Sequence, residues 1–199
     1  MIINDDNLGN YRIPEDVTGI CIDIGSNVGN FLKKYNHRFK IIYAYEPIKV
    51  LYDRIKDYKI NNVVLYNEAV SDSQGETEII LHNNGESGSS AIRRTIDEII
   101  EIKHWSENVI NKVNMITLEE VILRTNSDEI DYLKVDCENS EYLILHNKDL
   151  SKIKYIGIEI HAHMGKEKWD ILKSWVSKTH IGFPSHDGEN KEVLLTRIK

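Results

Sequence analysis

The sequence predicts a single α/β domain over residues 1–199, built on a doubly wound, mostly parallel sheet of seven strands with an antiparallel last strand. Continuous apolar runs alternate with segments of helical spacing, which is typical of parallel strands joined by crossover helices. The last two apolar segments, 180–186 and 191–198, are separated by a turn at Asp187 and Gly188 and not by a helix, so the last strand must run antiparallel to its neighbour. A length of 199 residues suits one domain.

Strands and helices alternate through the first half of the chain. GICIDIG (19–25) and KIIYAYEP (40–47) are continuous apolar runs, which indicates strands buried on both faces. ETEIILHN (76–83) alternates apolar and polar residues, as a half-exposed strand does. The predicted strands of this half are 19–25, 40–47, 62–70 and 76–83, and the predicted helices are 28–36 and the segment from Ile48 to Tyr58.

The second half repeats this alternation after a segment rich in glycine and serine. That segment, 83–94, predicts a mobile loop. Two capping boxes, Thr95 with Glu98 and Thr117 with Glu120, predict helices near 96–105 and 118–124. The predicted strands of this half are 111–116, 130–137, 154–163, 180–186 and 191–198, with one helix after 137 and another that buries the stripe Trp169, Leu172, Trp175 and Val176.

Composition and charge exclude several classes of protein. The chain is 41% hydrophobic and 29% charged, and no apolar run approaches the roughly 20 residues that cross a bilayer. The net charge of −7 disfavours nucleic acid as a partner. The first ten residues carry acids where a signal peptide needs basic residues, which predicts a cytoplasmic protein without a membrane partner. Cys21 and Cys137 form no CxxC pair, so they predict free thiols and not a zinc site.

The turn after the first strand is the first candidate binding site. Its glycines, Gly25 and Gly29, are four residues apart, and Asn27 stands where a dinucleotide-binding fingerprint needs a middle glycine. The turn therefore favours a ligand without a pyrophosphate, although a plain strand–helix turn also fits. The candidate residues of this turn are Asp23, Gly25, Ser26, Asn27 and Gly29.

Acidic groups also end the second and third predicted strands. Glu46, followed by Pro47, lies where a carboxylate can accept both hydroxyl protons of a ribose. Combined with the first turn, Glu46 indicates a ligand that contains adenosine. Glu68 and the small Ala69 end the third strand and could flank an adenine ring, although many strand ends look similar.

Carboxylates and histidines gather after two later strands. Asp136, Glu138 and Glu141 lie at the end of the strand at 130–137, either as a ligand-binding group or as the first turn of a capped helix. Period two would put Glu159, His161 and His163 on one face of the next strand. Together with Asp136 these residues could hold a divalent metal, but HxH on a strand more often reflects ordinary polarity, so no metal ligand is assigned.

These segments together resemble the FkbM-type family of S-adenosylmethionine-dependent class I methyltransferases. The matching segments are IDIGSNVGNF (22–31), YEP (45–47), NEAVSDSQG (67–75), MITLEEVI (115–122) and IDYLKVDCENSEYLIL (130–145). The last departs from the family at Asn139, where a glycine is usual. The resemblance implies a Rossmann-like fold with a seven-stranded sheet. It also implies that Asp23, Gly25 and Gly29 line the cofactor, that Glu46 holds its ribose, and that Glu68 and Ala69 lie near adenine.

The resemblance further implies O-methylation of a hydroxyl on a small molecule or glycan. The acceptor must lose a proton, and His161, with Asp136 and Glu159 beside it, is the predicted base. The loop at 83–94 would act as a lid, and the small scaffold favours an open site that a second subunit of a homo-oligomer would complete. An NAD-dependent oxidoreductase and a non-catalytic S-adenosylmethionine-binding protein are the two alternatives.

Overall fold

The computed structural model describes residues 11–81, 90–92, 110–138 and 140–198. The strands are β1 (Ile20–Ile24), β2 (Ile41–Tyr45), β3 (Val63–Tyr66), β4 (Ala69–Ser71), β5 (Gly75–Leu81), β6 (Ser90–Ile92), β7 (Ile110–Thr117), β8 (Ile130–Val135), β9 (Ile153–Ile160), β10 (His180–Ile181) and β11 (Lys191–Arg197). The α helices are α1 (Asn30–Tyr35), α2 (Lys49–Asp57), α3 (Leu118–Arg124), α4 (Glu141–Leu145) and α5 (Lys166–Val176).

Seven strands form the main sheet in the order β10-β11-β9-β8-β1-β2-β3. The pairs β9–β8, β8–β1, β1–β2 and β2–β3 are parallel, whereas β11 runs antiparallel to both β9 and β10. The predicted fold class is therefore confirmed, including the antiparallel last strand. β1 lies in the middle of the sheet, between β2 on one side and β8 on the other. Because β1, β2, β8 and β9 are parallel, their carboxyl ends meet at one edge of the sheet.

A second sheet of four strands, in the order β4-β7-β5-β6, lies beside the main one. The sequence predicts one strand over 62–70, and this prediction is wrong because the segment divides between β3 in the main sheet and β4 in the second. The side-chain amide of Asn67 donates hydrogen bonds to the carbonyls of Glu46 and Pro47, both at 2.9 Å. These bonds hold the chain at the end of β2 and turn it away from the main sheet.

Two further predictions concern the segment that precedes β7. Residues 90–92 of the predicted mobile loop form β6, which pairs antiparallel with β5, so the loop prediction is wrong for these residues. The hydrogen bonds of these residues to β5 stabilise the strand. The amino-acid composition of the segment reflects only its local preference and does not reveal this pairing. The rest of the proposed lid, the helix near 96–105 and the capping pair Thr95 and Glu98 lie outside the described residues.

Helices pack on both faces of the main sheet and bury large side chains. On one face α5 inserts Trp169, Leu172 and Val176, none of which retains exposed surface, into a core with β8 and β9. On the other face α1 packs Phe31 against Tyr132 of β8, with ring centroids 6.4 Å apart. The Thr117 hydroxyl accepts a hydrogen bond from the Glu120 amide at 3.4 Å, which confirms Thr117 of the predicted capping box as the N-cap of α3.

None of the helices in the described part of the chain is long and apolar enough to cross a membrane.

Candidate functional site

Two adjoining cavities open at the edge where β1, β2, β8 and β9 end. The first cavity, of about 270 Å³, extends toward the start of β4, and the second, of about 330 Å³, extends toward α1. Gly25, Asn27, Asp136 and Glu159 line both cavities. The first cavity is also lined by Glu46, Pro47, Glu68 and Ala69, and the second also by Ser26. The structure thus brings most of the predicted site residues to one place.

The turn between β1 and α1 brings the backbone close to the site. Gly25 has a φ of 80°, and a Cβ atom added there would lie 2.0 Å from the carbonyl oxygen of Asp136. Asn27, with a φ of 53°, takes the left-handed conformation that asparagine tolerates. Gly29 lies outside both cavities and packs instead against Tyr58 and Ile55 of the α2 region.

Glu46 presents a buried carboxyl group to the first cavity, with only 3% of the residue exposed. The backbone amide of Asn27 donates to one carboxyl oxygen at 2.7 Å, and that of Ile48 donates to the other at 2.8 Å. Burial raises the pKa of Glu46 to about 7, although these two amides and the charge of Lys134 oppose the increase. Each carboxyl oxygen has a second lone pair, so Glu46 can still accept hydrogen bonds from a ligand.

Glu68 and Ala69 border the far end of the first cavity. The Glu68 carboxylate accepts hydrogen bonds from both terminal nitrogens of Arg124, one of them at 3.3 Å. The Arg124 guanidinium also lies over the Tyr66 ring, which stacks on Tyr45 with centroids 4.9 Å apart. Arginine and two tyrosines therefore fix Glu68 at the cavity wall.

Asp23 lies outside the linings of both cavities and has no exposed surface. Its carboxylate pairs with Lys134 of β8 at 3.0 Å, and Lys134 also donates to the Gly25 carbonyl at 2.7 Å. Burial alone would lower the pKa of Lys134, but the charges of Asp23 and Asp136 outweigh it and raise that pKa. The pair joins β1 to β8 beneath the turn that borders the site.

His161 lies among carboxylates immediately after β9. Its Nδ1 contacts the carboxylate of Glu141, the first residue of α4. Glu141 has no exposed surface. The imidazole Nε2 lies 3.2 Å from Glu138 and 3.6 Å from Glu159. Because β9 ends at Ile160, the strand face predicted for Glu159, His161 and His163 does not continue, and His163 is exposed in a short 3-10 turn (Ala162–Met164).

These carboxylates change the proton affinity of the cluster. Burial alone would lower the pKa of His161, but its hydrogen bond with Glu141 and the charges of Glu141, Glu138 and Glu159 raise that pKa to about 9. Burial, with the charge of Asp136, raises the pKa of Glu159 to about 7. These charges favour the protonated form of His161, whose two ring nitrogens each face a carboxylate.

Two residues that organise the site, Lys134 and Glu141, make contacts that the sequence does not predict. Lys134 was detectable as a lone charge within the apolar run IDYLKV. Glu141 was noted as a carboxylate near a strand end, but its contact with His161 joins residues 20 apart and leaves no local pattern. Asn139, where the chain departs from the family pattern, lies outside the described residues.

The chain resembles known proteins both in sequence and in structure. The family model described as Methyltransferase FkbM domain matches residues 23–190. The crystal structure of methyltransferase FkbM from Methylobacillus flagellatus KT aligns with a TM-score of 0.55 and 12% identity, covering 91% of this chain. This chain spans 44% of the length of that protein. No match was found among curated protein sequences.

Two further solved structures are similar at lower scores. SMU.1697c, a putative methyltransferase from Streptococcus mutans in complex with SAH, aligns with a TM-score of 0.45 and 10% identity over 92% of this chain and 90% of that chain. A putative type 11 methyltransferase from Sulfolobus solfataricus aligns with a TM-score of 0.43 and 11% identity over 92% of this chain and 85% of that chain.

Proposed function

The chain belongs to the FkbM methyltransferase domain family, and from this membership we propose that it transfers a methyl group from S-adenosylmethionine to a hydroxyl of a small molecule or glycan. The observation that carries the proposal is the buried carboxyl of Glu46 in the wall of the first cavity. A buried acceptor at the end of the second strand suits the two hydroxyls of a ribose.

The residues around Glu46 suit a ligand without phosphate groups, such as S-adenosylmethionine. Asn27 occupies the place at which a glycine admits a pyrophosphate, and its amide is already bonded to Glu46. Ala69 leaves room beside Glu68 for a flat base at the far end of the first cavity. Glu46 would bind the ribose, the Gly25 turn would contact the amino acid part, and Asp136 would lie near the sulfonium.

When bound, S-adenosylmethionine supplies an electrophilic methyl group on a positively charged sulfur. The protein mainly has to align an acceptor with that methyl group, which is a matter of positioning. Asp136 and Glu159 line both cavities, so an acceptor in the second cavity would meet the cofactor beside them. Their negative charge favours the cationic donor over its neutral product.

The acceptor proton would pass to a carboxylate and not to His161. Asp136, Glu138 and Glu159 line the first cavity, whereas His161 lies behind them with each ring nitrogen directed at a carboxylate. This geometry favours a positioning role for His161, in which it holds Glu138 and Glu159 at the cavity wall.

The walls of the second cavity suit a ring-shaped acceptor with hydroxyl groups. Tyr11, Phe31 and Tyr35 contribute aromatic surface, on which an apolar ring face can pack. Asp136, Glu159 and Glu192 contribute carboxylates that can accept hydrogen bonds from hydroxyls. This combination supports a sugar or a hydroxylated small molecule as the acceptor class.

Calorimetric titration with S-adenosylmethionine and S-adenosylhomocysteine tests the cofactor assignment. Glu46→Ala removes an acceptor of two charge-assisted hydrogen bonds, each contributing roughly 1.5–3 kcal/mol, so we expect affinity to fall at least tenfold. Asp53→Asn, at an exposed acid of α2, is the matched control and should leave the affinity unchanged. Equal affinities in wild type and a folded Glu46→Ala would contradict the ribose assignment.

Product formation from a panel of hydroxylated acceptors tests the reaction itself. We expect release of S-adenosylhomocysteine with a sugar or small-molecule alcohol and none with acceptors whose hydroxyls are blocked. NAD should stabilise the protein against heat less than S-adenosylmethionine does at equal concentration. A larger stabilisation by NAD, or cofactor binding without turnover on the whole panel, would overturn the proposal.

A further inference from the structure

Three potential metal ligands converge at the edge shared by the two cavities. One ligand atom from each of Asp136, Glu159 and His161 lies within 4.8 Å of the other two. With metal–ligand bonds of about 2.1 Å, two ligands on opposite sides of an ion lie about 4.2 Å apart. Only one pair of three ligands can take opposite sides of an ion, and the other pairs lie about 3.0–3.4 Å apart. Nε2 of His161 and Oε1 of Glu159 are 3.6 Å apart, so side-chain rotations that move ligand atoms by about 1 Å would bring the three groups around one ion.

A buried carboxylate orients the imidazole ring of His161, as is usual for histidines that bind metals. The ring Nδ1 contacts the buried carboxylate of Glu141, and Nε2 is directed at Glu138 and Glu159, where a bound ion would displace the Nε2 proton. When one ring nitrogen of a histidine binds a metal, a carboxylate that accepts a hydrogen bond from the other ring nitrogen orients the imidazole and makes it a better electron donor. His161 is only 3% exposed, so this orientation is fixed by its surroundings.

Acidic groups also outnumber basic groups around the cluster. The linked ion pairs join five carboxyl groups, those of Asp23, Asp136, Glu138, Glu141 and Glu159, to only two basic groups, Lys134 and His161. Carboxylates brought together in this way repel one another, and a bound cation would reduce that repulsion. Lys134 lies closer to Asp23, at 3.0 Å, than to Asp136, at 3.7 Å, so it compensates mainly the buried acid.

We propose that Asp136, Glu159 and His161 bind a divalent transition-metal ion, with Mn²⁺ or Zn²⁺ as the class that fits. Carboxylate ligands favour Mn²⁺ and imidazole favours Zn²⁺, whereas Mg²⁺ and Ca²⁺ take oxygen ligands almost entirely. Three protein ligands leave coordination positions open, and the cluster faces both cavities. Ion binding itself is independent of methyl transfer.

The catalytic consequence of the ion rests on the proposed methyl transfer. A hydroxyl of the acceptor would occupy an open position and lose its proton more readily as a metal ligand. Glu138 lines the first cavity and lies outside the group of three ligands, so it remains available to take that proton. The acceptor oxygen keeps the electron pair of its broken O–H bond and forms the new bond to the methyl carbon, while the carbon–sulfur pair stays on sulfur.

Titration of the chelator-treated full chain with Mn²⁺ alone, followed by the electron paramagnetic resonance signal of free Mn²⁺, measures the ion site directly. A parallel arm titrates Zn²⁺ by calorimetry. We expect one ion per chain in at least one arm. Asp136→Asn and Glu159→Gln should each weaken binding at least tenfold, and Glu141→Gln should weaken it by about tenfold through the lost orientation of His161.

Glu192→Gln is the matched control, because Glu192 pairs in register with Glu159 on the neighbouring strand and also lines the second cavity. It removes the same charge close by and should change ion affinity less than threefold. Equal losses in Glu192→Gln and Glu159→Gln would show general charge attraction and overturn the site, as would failure of both ions to bind at 1 mM.

The same samples separate this proposal from the proposed function. S-adenosylhomocysteine affinity measured in chelator should be retained in Glu159→Gln, because Glu46 holds the ribose. If the wild-type chain binds S-adenosylhomocysteine but neither ion, only the metal site is refuted. Circular dichroism of each variant shows whether it is folded, and if Glu159→Gln does not fold, Glu159→Asp replaces it with the same expected loss of ion affinity.

Discussion

Among single residues, Glu46 is the one whose carboxyl pKa is set by two opposing effects. Burial favours its neutral form, while the amides of Asn27 and Ile48 donate hydrogen bonds that favour its charged form. The charged groups near it are Lys134, which favours ionisation, and Asp23, which opposes it. The resulting pKa of about 7 means that the group changes its charge within the ordinary working range of pH.

We predict that S-adenosylhomocysteine affinity rises with pH between about 6 and 8. Ribose hydroxyls donate to the charged carboxyl, so a ligand binds the ionised form better, and that form dominates only above the pKa of Glu46, which is about 7. Affinity should therefore fall up to tenfold for each pH unit below 7. Calorimetry from pH 5.5 to 8.5 checks this, with Glu46→Gln as the comparison. An identical pH dependence in that variant would assign the titration to another group.

The candidate site could be predicted from the sequence only where its residues follow strand ends. Glu46 and Asp136 follow apolar runs, and Glu159 lies near the end of another, so the sequence predicts that the three lie at one edge of the sheet. The partners of Asp23 and His161 were not foreseeable. Each pair, Asp23 with Lys134 and His161 with Glu141, joins separate elements, and such contacts depend on strand order and side-chain direction, which local patterns do not contain.

Among the elements, strands with continuous apolar runs were predicted well and short strands poorly. β1, β2, β8 and β9 are buried on both faces, which produces a strong local signal. β4 and β6 have three residues each, and their pairing with β7 and β5 stabilises them. The β1–α1 turn forms part of the wall of both cavities. The backbone of its Gly25 lies against the Asp136 carbonyl at the end of β8.

We predict that Gly25→Ala destabilises the protein more than Gly188→Ala does. The two glycines have φ angles of 80° and 90°, so both variants incur a similar cost for a left-handed alanine, about 1–2 kcal/mol. At Gly188 no atom lies within 4 Å of the added Cβ, whereas at Gly25 it would lie 2.0 Å from the Asp136 carbonyl oxygen. Denaturant unfolding should show at least about 1–3 kcal/mol of additional loss for Gly25→Ala. Equal losses would mean that β1 and β8 separate without cost.

On the scale of the whole molecule, the first cavity lies between the two sheets. Gly25 and Glu46 reach it from the main sheet, while Ala69 and Ile79 reach it from β4 and β5 of the second sheet. The sheets are joined directly in sequence by Asn67 and Glu68, without an intervening helix. A ligand in the first cavity therefore contacts both sheets.

We predict that S-adenosylhomocysteine slows backbone hydrogen exchange in both sheets. Protection should appear in the β1–α1 turn and in β4 and β5, because a bound ligand must leave before those segments open. α5 and β10 do not line the first cavity and serve as the internal control. Mass spectrometry of peptides with and without ligand measures the effect. Protection confined to the main sheet would show that the ligand does not reach the second one.

The position of β11 has a consequence for the order of folding. β10 precedes β11 in the chain but lies outside it in the sheet, and its ladder partner there is β11. β11 in turn pairs with β9, six residues of which face it in register. β10 therefore joins the sheet only through β11, either after β11 has docked on β9 or together with it as an antiparallel pair. It cannot take its place when the ribosome has made β9 and β10 alone.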